Sequence, residues 1–164
     1  MRVQLATLRQ IAELRTAGFA VPWSLQLRMT PDTQLEFGHR CAMGQGSILT
    51  AESGRLRLGS DVSFGAYNYV TPADSYIDIG SRLLCSPFVS LIALNHEVID
   101  GVVSWTARGG EGGITIGDDC WLATNSVVLP GVTLGDRCIL AAGAVVTKSF
   151  PADTKLAGVP ARPI

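Results

Sequence analysis

From residue 116 onward one apolar residue returns at a fixed interval of six: Ile116, Leu122, Val128, Leu134, Leu140 and Val146, within "IGDDCWLATNSVVLPGVTLGDRCILAAGAVVT". A helix repeats at 3.6 residues and a strand at 2.0, so neither explains that interval. Four positions after each anchor stand Cys120, Ser126, Val132, Cys138, Ala144 and Phe150, most of them small. Each unit therefore reads as a short strand, a small inward residue and a turn. Such units cannot bury an inner face alone, and stacking them builds a continuous core from nearest-neighbour contacts.

Glycine marks every third unit. Gly117 follows Ile116 and Gly135 follows Leu134, eighteen residues apart, so three short strands make one turn of a coil. The same punctuation appears upstream, where Phe37, Leu58 and Ile79 each precede a glycine at a spacing of twenty-one. The early turns thus carry three extra residues each. A glycine repeated at one corner fits a site where backbones approach closely or φ turns positive. The predicted class is mainly β, a parallel β-helix over residues 35–164. Residues 1–34 form a cap and connector, in which Leu5, Leu8, Ile11 and Leu14 predict a short amphipathic helix ending at Gly18. Pro22 and Pro31 interrupt the connector beyond it.

Composition limits the function. With 47% hydrophobic and 16% charged residues and a net charge of -1, the chain is folded and carries no broad positive field for nucleic acid. Charges dispersed through "MRVQLATLRQIAELR" leave no uninterrupted apolar core for a signal peptide or membrane span, which predicts a cytoplasmic protein. Cys41, Cys85, Cys120 and Cys138 lack C-x-x-C spacing, and two histidines cannot complete a zinc site with them, so no metal is expected. Cys120 and Cys138 lie one coil apart with side chains pointing the same way, which predicts packed thiols rather than a disulfide.

The hexads stop between Glu97 and Gly113, and "EVIDGVVSWTARGGEGG" reads as an irregular excursion, the length of a lid or binding loop. His96 stands just before it, in "SLIALNHEVIDG". An isolated histidine at such a place is read as a polar residue where a coil gives way to a solvated loop. The combination of "NH", the loop, "CW", "VVTK" and "AGVPAR" is more specific.

Over residues 35–164 the chain resembles the hexapeptide-repeat acyltransferases, and its C-terminal part is most similar to their sugar and xenobiotic O-acetyltransferase branch. The resemblance implies a left-handed coil, a hand that periodicity does not reveal. It implies acetyl-CoA as cosubstrate, a homotrimer, and His96 as the catalytic histidine. Asn68 and Asp74 align with acceptor contacts, although each also fits a turn that satisfies itself. Asn95 orients the histidine or caps exposed backbone. Trp105 stacks on a sugar ring or packs the loop on a neighbour. For the donor, Ala123, Ala141, Ala142 and Gly143 match small residues that let the pantetheine arm lie along the coil, although tight coils require small residues too. Trp121 matches the family's tryptophan, which walls the acceptor or coenzyme channel or packs at the trimer contact. Thr147, Lys148 and Arg162 match the family's "TK" and its basic position after "GVPA". Solvated surface charge is the other reading of those two cations.

The implied reaction is acetyl transfer from the coenzyme A thioester directly to a hydroxyl of a sugar or glycan acceptor. A hydroxyl is a poor nucleophile at neutral pH, so a base must take its proton, and imidazole has a suitable pKa. Amino-sugar N-acetylation needs the same base, and a β-helix serving only as a scaffold needs none. A thiol mechanism through Cys85 lacks an adjacent base. His39, two residues beyond an anchor, is assigned no role.

Overall fold

The computed structural model describes residues 10–30, 32–51, 54–109 and 112–164, and only the backbone of 105–109. It is a parallel β-solenoid whose three faces are sheets of six, five and seven strands. Successive strands visit the three faces in turn, so each sheet pairs residues one coil apart. Phe37 pairs with Leu58 and Leu58 with Ile79, the spacing of twenty-one. Ile116 pairs with Leu134 at eighteen. Between them Ile79 pairs with Ile116, and the longer offset contains the excursion. The early coils place their three extra residues between Val70 and Ile79, at the corner that carries Pro72, Ala73 and Asp74.

Both six-residue series point inward. The anchors Ile116, Leu122, Val128, Leu134, Leu140 and Val146 are buried, and so are the residues four positions later, from Cys120 to Phe150. Each Leu or Val side chain therefore packs on its equivalents one coil above and below. The S–H groups of Cys41, Cys120 and Cys138 donate to the carbonyls of Gly59, Gly135 and Pro151, each on the next coil. All four cysteines are free thiols.

The coil starts earlier than the six-residue pattern reveals. Strand Gln26–Met29 pairs in register with Ile48–Ala51, and Ala20 bridges to Ala42, so part of the expected connector belongs to the solenoid. Leu25 and Leu27 are buried there, but two prolines obscure the periodicity. Helix 10–16 closes the end with Ile11 and Leu14 on the core, and it stops at Gly18, whose φ is +94°. Leu5 and Leu8 lie outside the described residues.

At the glycine corner the coils nearly touch. A Cβ on Gly117 would lie 2.7 Å from the backbone N of Asp136, and one on Gly135 would lie 2.3 Å from that of Ala152. Beside this corner runs a column of left-handed residues, Arg40, Asp61, Arg82, Asp119, Arg137 and Asp153, alternating in charge from coil to coil. Arg40 binds Asp61, Arg82 binds Asp119, and Arg137 binds Asp153, each through two N–H donors. These bonds hold the three carboxyls below the usual aspartate range. A carboxyl depressed by folding stabilises the native state above its unfolded pKa, near 3.9, and loses that contribution as pH falls through the folded value. Melting temperature should therefore drop on acidification below about pH 4. In the triple variant Asp61→Asn, Asp119→Asn, Asp153→Asn the drop should be shallower, because asparagine keeps the left-handed backbone without the charge. Parallel acid profiles would contradict this.

Candidate functional site

The excursion is an antiparallel β-hairpin of strands Asn95–Ile99 and Val102–Gly109, not an irregular loop. Ile99 pairs with Val102 across Asp100 and Gly101, whose φ values are 51° and 79°. That is an Asp-Gly turn with both central residues left-handed, which matches the twist of the flanking strands. The dipeptide between "VI" and "VV" signals this hairpin in the sequence. Its tip exposes Val98, Ile99, Val102 and Val103.

His96 projects from the first strand and is exposed. Its Nδ1 lies 3.2 Å from the carbonyl O of Ser104 on the facing strand. A carbonyl only accepts, so Nδ1 is the ring nitrogen that donates here, which leaves Nε2 outside this contact. The hairpin thus fixes the ring orientation. Asn95 precedes it, exposed, with its backbone paired to Gly109. Trp105 lies on the second strand, where only the backbone is described.

A groove of about 460 Å³ runs over the seven-stranded sheet and its corner with the six-stranded one. Trp121, Ala123, Ala141 and Ala142 line it, four of the residues assigned to the donor. Trp121 is half exposed, and its indole N–H donates to the Ser86 hydroxyl at 3.2 Å. Strand register stacks Leu84, Trp121, Ile139 and Lys155 along this face. Ser86, Thr124 and Lys155 also line the groove and were missed from the sequence, where only the coil register places them beside Trp121.

Other predicted residues fall elsewhere. Asn68 is buried; its amide donates to the Gly65 carbonyl at 2.6 Å and accepts from the Val89 N–H at 2.8 Å. Both ends of the amide serve the coil, the turn-satisfying alternative raised for this residue. Asp74 is exposed at the corner one coil before the hairpin. Gly143 takes φ +73° at its corner. Thr147 is exposed beyond it, and the Lys148 ammonium lies 5.5 Å from the Phe150 ring centroid. The Arg162 guanidinium donates to the Ala161 carbonyl at 2.8 Å. None of these four lines the groove. His96 does not line it either, because its hairpin leaves after Ser90–Ile92, at the corner between the six- and five-stranded faces.

Burial raises the Cys85 thiol far above its ordinary pKa and pushes Cys120 up to about 11, so neither supplies a ready thiolate. Among the described residues, no group of three or more His, Cys, Asp or Glu side chains is arranged to hold a metal, and no helix is long and apolar enough to cross a membrane.

Residues 113–148 match the family model described as bacterial transferase hexapeptide (six repeats). Galactoside O-acetyltransferase of Escherichia coli is 36% identical over 114 residues, which are 65% of this chain and 54% of that protein. The chain spans 60%, 54% and 48% of three curated relatives it matches. The structure of a galactoside acetyltransferase in complex with coenzyme A superimposes with a TM-score of 0.62 at 26% identity, covering 95% of this chain and 69% of that one. AntD, an N-acyltransferase from Bacillus cereus in complex with dTDP and 3-hydroxybutyryl-CoA, gives 0.63 at 14% identity, covering 94% and 86%. The latter likeness is one of fold alone. The solenoid matches the left-handed β-helices of this group, the exception to right-handed crossovers.

Proposed function

We propose, since this chain belongs to the hexapeptide-repeat transferases, that it is an acetyl-CoA-dependent O-acetyltransferase acting on a sugar or glycan hydroxyl. The observation that carries the reading is the exposed His96 ring, held through Nδ1 by the Ser104 carbonyl on the facing strand, with Nε2 outside that contact. Nε2 takes the proton of the acceptor hydroxyl as its oxygen attacks the thioester carbonyl. The tetrahedral intermediate then collapses, the C–S bond breaks, and the imidazolium returns the proton to the coenzyme sulfur. The O-linked reading is supported by the 36% identity to a galactoside O-acetyltransferase.

One chain keeps the base and the groove apart, at different corners of the coil. This supports a homotrimer in which the hairpin of one copy faces the groove of its neighbour. A heterologous contact repeated around a closed ring completes every site in this way. The exposed hairpin tip and the exposed Leu84, Phe88 and Trp121 supply apolar surface for such contacts. Trp105, Asn95 and Asp74 then border the acceptor, and Lys148 and Arg162 remain outer contacts for the coenzyme. Cytoplasmic acetyl-CoA is the donor in this reading.

The test is thiol release from acetyl-CoA with the purified protein and a panel of sugars, amino sugars, nucleotide sugars and glycans. Release that requires a hydroxyl acceptor is expected. Release with amino sugars alone would replace O- by N-acetylation. Binding of acetyl-CoA without any productive acceptor would call for a wider panel, and no binding would leave a scaffold.

A further inference from the structure

We infer that Lys155 is the donor-binding cation of the groove and takes up a phosphate of the coenzyme, a role that rests on the function proposed above. The groove wall is almost wholly apolar or small, and Lys155 is the one charged side chain that lines it. It is exposed, and among the described residues it has no carboxylate partner within ion-pair distance. The arginines nearby are differently placed. Arg137 is held by Asp153, and Arg162 turns to the Ala161 carbonyl. Lys148 leans over Phe150, outside the groove. An apolar channel with a single unpaired cation at one end suits an apolar arm ending in an anion.

Position along the coil gives the direction. Ser86 and Trp121 stand at the level from which the hairpin departs, since Ser86 and Asn95 belong to the same stretch of coil. In a ring of parallel copies, rotation keeps height constant, so a neighbour's His96 meets the groove at that level. The thioester therefore belongs at Trp121. Register then puts Lys155 two rungs further on, through Ile139, at about 10 Å given a strand spacing near 4.8 Å. The flexible pantetheine arm spans that distance and carries its diphosphate toward the ammonium.

Calorimetric titration of the full chain and of Lys155→Gln and Lys155→Arg with coenzyme A, dephospho-coenzyme A and pantetheine tests this. Lys155→Gln should weaken coenzyme A roughly tenfold, the scale of one hydrogen bond to a charged group, while Lys155→Arg retains affinity. Pantetheine, which has no phosphate, should bind the three proteins equally. A gap that persists with dephospho-coenzyme A assigns the contact to the diphosphate, and one that closes assigns it to the 3′-phosphate. Equal coenzyme A affinity in wild type and Lys155→Gln overturns the inference, as does an equal loss for pantetheine, which would mean a change of groove shape. A folded wild type that does not bind coenzyme A at all removes the parent reading instead.

Discussion

His96→Ala should lower turnover by about a hundredfold to ten-thousandfold, the range a positioned general base contributes. The side chain is exposed and its one described hydrogen bond is to the Ser104 carbonyl, so the melting temperature should stay close to that of the wild type. The effect should fall on kcat rather than on the affinity for acetyl-CoA, because the groove that holds the coenzyme is built from other residues, Trp121, Ala123, Ala141, Ala142 and Lys155 among them. One further measurement separates a base from a structural contact. Free imidazole should restore part of the lost rate. Undiminished turnover in folded His96→Ala would remove the base from the mechanism. A loss explained wholly by weaker acetyl-CoA binding would make His96 a binding residue.

The coil itself was legible because its repeat recurs from turn to turn: inward anchors, a glycine where backbones meet, and, in the later turns, six positions per side. What escaped was set by contacts between distant rungs. Lys155 is distant in sequence from every other polar lining residue of the groove, and only its pairing with Ile139, and of Ile139 with Trp121, brings it to that wall. Asn68 was ambiguous for the opposite reason. A short polar side chain at a coil corner has the same sequence signature whether it meets an acceptor or satisfies the next coil, and in this fold its amide is buried and bonded within the coil. The hairpin carried its own signal in Asp100-Gly101, but the loss of hexads drew the reading toward irregular chain. His96 was singled out through its neighbours in sequence; the Ser104 carbonyl that orients its ring lies across the hairpin and had no signature of its own.

Leu122→Ala should destabilise the fold by about 2–5 kcal/mol, the usual range for removing a fully buried leucine. Leu122 is fully buried and stacks between Cys85 and Leu140, one coil on either side. Parallel ladders on all three faces hold the coils at fixed spacing, so the backbone cannot close on the void. The loss therefore includes the cavity as well as the transferred methyl groups. Against a total stability of about 5–15 kcal/mol for a domain of this kind, such a change is large. In urea the unfolding midpoint should fall with little change in slope. Because each coil rests only on its neighbours, hydrogen exchange should accelerate first in the strands of Leu84–Cys85, Trp121–Leu122 and Ile139–Leu140, leaving the earliest coils protected. That pattern links packing to function, since Trp121 walls the groove from the same two-residue strand as Leu122. Coenzyme affinity in Leu122→Ala should fall together with this local protection. An unchanged midpoint would mean that the coils relax into the space, and that the inward six-residue anchors are not what fixes the spacing of the solenoid.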